Sequence, residues 1–243
     1  MPTTSIETVT TTLPGPDGAE YDTTVVRPDT PNGAGILLLQ EIFGVGEFLL
    51  DRAAALAELG YVVSCPDVFW RVERNVALGH DDAGLGRAYE LVGAWGELDP
   101  ALTAADLTAA LAHLRSLVLG RVAAMGYCLG GRLAYEVGVA AFPDSIVSYY
   151  GSGIADRLDV ASEITCPILF HFGDADPFIP TEQAEAVRGA FASRADAEVI
   201  IHHEAGHAFE NSFAPMFSNP VATQASWAQT IAFLQRTLVP ERD

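Results

Sequence analysis

The residue whose setting is most suited to covalent chemistry is Cys128, in the stretch Gly126-Tyr127-Cys128-Leu129-Gly130-Gly131. An apolar run, Val122 to Gly126, precedes it, and a helical pattern carrying Leu133, Ala134 and Val137 follows. Glycines two places before and after a central nucleophile let strand and helix approach closely enough for that residue to take a strained backbone and project its side chain. A thiol there sits at a helix N-terminus, where the backbone dipole favours the thiolate and free amides, including that of Leu129, stand ready to hold an oxyanion. A buried, inert small hydrophobe is the ordinary fate of a cysteine. The glycine context argues against that for Cys128 but leaves it standing for Cys65 and Cys166, each of which precedes a proline.

A nucleophile of this kind needs a base and a group to orient the base, with acid following nucleophile and histidine last in the chain. The run Ile168 to Phe172 ends in Gly173-Asp174-Ala175-Asp176-Pro177, and a later run ends in His202-His203-Glu204-Ala205-Gly206-His207. Asp176, further out on its loop, is chosen over Asp174 as the orienting acid, and Asp174 is read as capping its own turn. His207 lies in a glycine-flanked loop and is the expected base. His202 and His203 are read as packing or surface residues, with a metal site made of His202, His203 and Glu204 as the alternative. His80, beside Asp81 and Asp82, is read as a solvated loop residue. The run Gly35 to Leu39 ends in Gln40-Glu41-Ile42-Phe43-Gly44; Glu41 is expected to face the cleft and the Ile42 amide to supply a second oxyanion donor, a solvated loop carboxylate being the plain alternative for Glu41.

The elements that must position these groups follow from periodicity. Thr8 to Leu13 and Tyr21 to Val26 flank Pro14-Gly15-Pro16-Asp17-Gly18 and read as an antiparallel edge hairpin. Further strands are expected at Gly35 to Leu39, Tyr61 to Ser64, Val122 to Gly126, Ser145 to Tyr150, Ile168 to Phe172 and Glu198 to His202. Several are apolar on both faces, as central parallel strands are. Helices are expected over Phe48 to Leu59, Ala83 to Ala94, Ala101 to Leu117, Leu129 to Val139, Thr181 to Phe191 and Val221 to Leu238. Leu107, Leu111, Leu114 and Leu117 form one apolar stripe. This alternation defines an α/β class, a mainly parallel sheet with helices on both faces, whose ligands sit beyond the carboxyl ends of the strands.

The chain has 243 residues, 49% of them hydrophobic, enough for one domain with a substantial core. The formal net charge of -19 argues against nucleic acid and anionic membrane surfaces as partners. Every basic residue is Arg, which excludes lysine-based covalent catalysis. The opening Met1 to Glu7 has no secretory pattern, no segment approaches the roughly 18 apolar residues of a membrane span, and the three cysteines lack metal spacing. A cytoplasmic protein with free thiols is expected, a monomer or small homo-oligomer acting on a small molecule without a cofactor or metal.

Four blocks resemble the dienelactone hydrolase family of the α/β-hydrolase fold. They are Gln40 to Val45, Gly60 to Val63 with Pro66 to Arg71, Gly126 to Gly131, and Gly173 to Pro180 with Gly206 to Phe209. The resemblance implies an ester- or lactone-opening hydrolase with Cys128, Asp176 and His207 as triad and the Ile42 and Leu129 amides as oxyanion hole. It also implies that Glu41 contacts the resting thiol until substrate displaces it. Phe43, Tyr89 and Tyr150 are expected to line the pocket. Family members of this kind hold a substrate carboxylate with two arginines, and the matching positions here are Leu85 and Asn211. Arg87 is two helical steps from Leu85, rotated by roughly 200°, and does not replace it. An esterase or thioesterase for neutral substrates is therefore the alternative within the class, and a non-catalytic binding protein on the same scaffold the alternative outside it.

Overall fold

The computed structural model describes residues 5–239, so the reading of Met1 to Thr4 lies outside it. The chain forms two compact units, divided after Val122.

In the first unit the hairpin strands β1 (Ile6–Pro14) and β2 (Glu20–Pro28) pair antiparallel through a turn in which Gly18 has φ +80°. Next come β3 (Gly35–Leu39), α1 (Glu47–Glu58), β4 (Val62–Pro66), α2 (Asp82–Gly96) and α3 (Pro100–Leu117). The strand order is β1-β2-β4-β3, with β2 antiparallel and β3 parallel to β4. β3 and β4 are buried throughout; β3 is an unbroken apolar run, and in β4 the buried Ser64 hydroxyl is paired with Thr23 Oγ1 at 2.9 Å. The leucine stripe of α3 packs on β3 and β4, with Leu107, Leu111 and Leu114 buried. Asp106 on the same helix accepts from Trp70 Nε1 at 2.9 Å and Arg71 Nε at 2.8 Å on Oδ2 and from Arg71 Nη2 at 2.9 Å on Oδ1, so both oxygens of a buried carboxylate are satisfied.

The second unit runs β5 (Val122–Tyr127), α4 (Leu129–Ala140), β6 (Ser145–Tyr149), β7 (Ile168–Gly173), α5 (Thr181–Phe191), β8 (Ala197–His202) and α6 (Pro220–Leu238). All its pairings are parallel, in the order β5-β6-β7-β8. β5, β6 and β7 are wholly buried, and β8 is half-buried, as an outer strand is. Helix α6 packs on β6 and β7, and α5 on β8. One element escaped the periodicity, a 3-10 segment at Ile154–Glu163 whose helix is broken at Arg157. The non-helical backbone at Arg157, φ -127° and ψ 29°, divides it into pieces too short to read as one helix.

Candidate active site

Cys128 lies between β5 and α4 with φ 53° and ψ -115°, a backbone conformation that L residues avoid and that stores about 1–3 kcal/mol of strain. Two hydrogen bonds hold it there: its N–H donates to the Tyr149 carbonyl at 3.0 Å, and its carbonyl accepts from Arg132 N–H at 3.2 Å. A Cβ at position 126 would lie 2.1 Å from the Gly130 carbonyl oxygen, so this turn closes only around glycine. The strain turns the thiol out of the strand, half-buried, at the head of a 12-residue helix.

His207 and Asp176 meet it from the loops that follow β8 and β7. His207 Nε2 stands 3.1 Å from Cys128 Sγ, and Nδ1 stands 2.7 Å from Asp176 Oδ2. The other oxygen of Asp176 accepts from the amides of Phe178 at 2.8 Å and Ile179 at 3.1 Å. One carboxylate oxygen is thus pinned by its own loop while the other orients the imidazole, and this requires the proton on Nδ1. Burial pulls the imidazolium down, but the Asp176 carboxylate and the sulfur outweigh it and raise the His207 pKa from 6.5 to about 10. The remaining thiols differ in kind: burial pushes Cys65 up to about 12 and Cys166 to about 11, away from thiolate chemistry.

Aromatic rings frame His207. Tyr150 is fully buried with its ring centroid 5.2 Å away, and Phe178, 56% exposed, meets the imidazole edge-on at the same 5.2 Å. Tyr150 was expected at the pocket. Phe178 was visible only as part of a family block, because an exposed ring on a loop has no distinguishing local pattern.

The second carboxylate of the β7 loop does something other than cap its turn. Asp174 reaches across to the β8 loop, where Oδ1 accepts from Glu204 N–H at 2.6 Å and Oδ2 pairs with His203 Nδ1 at 2.7 Å. Turn capping falls instead to Asp176. His202 turns inward to His171 Nδ1 at 3.0 Å while His203 is exposed, so the three residues of the alternative metal set have divergent partners. Among the described residues no group of three or more His, Cys, Asp or Glu side chains is arranged to hold a metal ion.

In the first unit Glu41 is 3% exposed and its Oε1 lies 2.6 Å from His80 Nε2. His80 is therefore not a solvated loop residue: its side chain is largely buried and packs on Phe43 at 4.3 Å between centroids. The pairing spans 39 residues, and the neighbouring Asp81 and Asp82 concealed it; Asp81 in fact caps α2 by accepting from Gly84 N–H at 2.8 Å. Gln40 Oε1 accepts from Val68 N–H at 3.1 Å, which fixes the strand end next to Glu41 and Ile42.

The positions matching the two arginines are filled as the sequence indicates. Leu85 is half-buried on α2, and Asn211 is buried with its Oδ1 accepting from Phe213 N–H at 2.9 Å. Arg87 is held by Glu90 at 2.6 Å and Glu73 at 2.5 Å. Tyr89, on the same helix, is 54% exposed.

A strained strand-to-helix turn with an acid and then a histidine on later strand-end loops defines an α/β-hydrolase. The fold agrees with that of a putative dienelactone hydrolase from Klebsiella pneumoniae, with a TM-score of 0.78 and 24% identity over 95% of this chain and 99% of that one. The dienelactone hydrolase family model matches residues 21–238, and the chain belongs to that family. A carboxymethylenebutenolidase from a Pseudomonas species is 34% identical over 229 residues, 90% of this chain and 91% of the relative. A carboxymethylenebutenolidase from Pseudomonas putida is 33% identical over 215 residues, 87% of this chain and 89% of that one. The protein is a hydrolase acting on lactones or esters. Among the described residues no helix is long and apolar enough to cross a membrane.

Proposed function

We propose that the protein opens its ester or lactone through a covalent thioester on Cys128. The observation that carries this is the unbroken run from Cys128 Sγ to His207 Nε2 and from His207 Nδ1 to Asp176, at 3.1 and 2.7 Å. The thiolate attacks the acyl carbonyl, and the amide of Leu129 at the head of α4 stabilises the oxyanion. The imidazolium of His207 then protonates the departing alkoxide, leaving a thioester and neutral imidazole. Acylation consumes the negative charge on sulfur, one of the influences that hold the His207 proton. The freed imidazole, still oriented by Asp176, takes a proton from water as that water attacks the thioester. Collapse releases the carboxylic acid and regenerates the thiolate and imidazolium. From the family resemblance alone we add two roles, Ile42 as second amide donor and Glu41 as partner of the resting thiol.

Replacing Cys128 with Ala abolishes turnover of an activated aryl ester in this scheme. Near-normal activity in that variant overturns it. A cytoplasmic location, and activity as a monomer or small homo-oligomer, belong to the same proposal, and fractionation and light scattering test them.

A second reading concerns the substrate. Leu85 and Asn211 at the arginine positions, Arg87 held by two glutamates and a net charge of -19 favour a neutral ester or lactone over a carboxylated one. Comparing kcat/KM for a dienelactone carboxylate and a neutral activated ester tests this, and a clear preference for the carboxylate defeats it.

A further inference from the structure

Behind the triad, wholly within the second unit, lies a buried run of four polar side chains that the scheme above does not use. Tyr149 Oη and Thr230 Oγ1 are 2.6 Å apart, Thr230 Oγ1 and His171 Nε2 are 3.1 Å apart, and His171 Nδ1 and His202 Nε2 are 3.0 Å apart. Tyr149, Thr230 and His171 have no solvent exposure, and His202 has 7%. Each imidazole in its neutral form offers one N–H and one lone pair, so the run is satisfied without net charge. Burial favours that form, holding His171 well below its usual range and lowering His202.

An apolar set of the same volume would fill this space without the desolvation of four polar groups, so the run supplies direction rather than bulk. Its placement indicates what is directed. His171 is near the end of β7, two residues before Gly173, and His202 ends β8 opposite Gly173. These strand ends continue into the loops that carry Asp176 and His207. The loops are pressed together: Ala175 N–H donates to the Ala205 carbonyl at 3.0 Å, and a Cβ at Gly173 would lie 2.0 Å from that same oxygen. From the imidazole pair a line of ring contacts leads to the base, His202 to Phe209 at 5.0 Å, Phe209 to Tyr150 at 5.3 Å and Tyr150 to His207 at 5.2 Å. Tyr150 N–H also donates to the His171 carbonyl at 2.7 Å.

We propose that His171 and His202, anchored by Thr230 and Tyr149, are positioning residues that hold the β7 and β8 strand ends in the one relative placement at which His207 meets both Asp176 and Cys128. This rests on the triad reading above. The pair touches no reacting atom and acts through Phe209 and Tyr150.

The test uses the full chain with three substitutions on α6. Thr230→Val removes the hydroxyl that anchors His171 with little change of volume, and Thr230→Ser keeps a hydroxyl. Thr237→Val is the matched control, a buried hydroxyl bonded to Ser145 Oγ at 3.1 Å and to the Phe233 carbonyl at 2.9 Å. The readouts are kcat and KM on an activated ester, Tm, and the pH profile of iodoacetamide alkylation at Cys128, resolved from Cys65 and Cys166 by peptide mass. Both valine variants are expected to lower Tm. Thr230→Val alone is expected to lower kcat by about ten-fold at unchanged KM and to shift the alkylation midpoint, as a small misplacement of His207 does. Thr230→Ser restores both. If Thr230→Val keeps the wild-type kcat and alkylation profile, or changes them no more than Thr237→Val, the positioning role is overturned. Inactive Cys128→Ala and His207→Gln enzymes beside that result confine the failure to this inference, whereas an active Cys128→Ala enzyme removes the triad reading and this one together.

Discussion

The loops that follow β5, β7 and β8 differ in construction from the stretch running from Gln40 to Gly46 and on through α2. In the first region the polar groups near the sulfur are fixed by short contacts, some within one loop and some between segments far apart in sequence. Asp176 is held by its own loop amides and Asp174 by the β8 loop, while Tyr150 and Phe209 are fully buried. In the second region buried bonds such as Glu41 with His80 and Gln40 with Val68 stand beside a helix whose Arg87 and Tyr89 face water. The groups proposed for the chemistry, which depends on tenths of an ångström, sit where hydrogen bonds hold the side chains. The helix bearing the position of an expected carboxylate anchor carries exposed side chains that change at little thermodynamic expense.

The comparison makes predictions of unequal size. The largest effect belongs to His207→Gln, expected to lose about 10³-fold or more in kcat/KM on an activated ester, because base and acid are removed together. An equal loss from a change in α2 would break the comparison. Next comes Asp176→Asn, expected to lose about 10²-fold or more, since the charge is gone and a single amide oxygen cannot serve both the Phe178 and Ile179 N–H groups and His207 Nδ1–H.

The same variant carries a stability signature. The His207 pKa is raised in the fold from 6.5 to about 10. Its stabilising contribution is therefore complete below the unfolded value and is lost as pH rises through about 10. Without the carboxylate charge the folded value falls, so Tm measured between neutral pH and about 10 should decline less steeply in Asp176→Asn than in wild type. An unchanged slope contradicts the assignment of that charge to Asp176.

A smaller effect is expected from His80→Ala, which takes one hydrogen bond from buried Glu41. Stability should fall by about 1–3 kcal/mol in chemical denaturation, and kcat/KM by less than His207→Gln costs. The smallest belongs to Arg87→Ala: its ion pairs are exposed, and stability should change by no more than about 0.5 kcal/mol. Its KM for a carboxylated lactone should be unchanged, and a marked rise would make Arg87 a recognition residue after all.

Much of the site was legible in the sequence, for a local reason. The turn at Cys128 needs glycine at 126 and a helix start at 129, and both demands act within six residues, so the pattern displays them directly. The strand runs were equally plain, because parallel strands buried on both faces are mostly apolar; only boundaries moved, as where β4 runs Val62–Pro66 rather than Tyr61 to Ser64. The order of acid and histidine along the chain followed from the loops that end β7 and β8.

What escaped is what no local pattern records. His80 beside two aspartates looked solvated, yet it reaches back 39 residues to Glu41. Asp174 looked like a turn cap, yet its partners lie on the next strand's loop. His171 sits in an apolar strand and His202 in a histidine pair, and neither announces a hydrogen bond to the other or to Thr230 on the last helix. The sequence by itself determined which residues are available for chemistry and in what order the strands deliver them, because propensity, glycine sterics and hydrophobic periodicity act on near neighbours. Only the tertiary structure decided which carboxylate, imidazole and hydroxyl are paired, because a hydrogen bond is set by distance and direction in space, which segments remote in sequence acquire only when the strands are aligned.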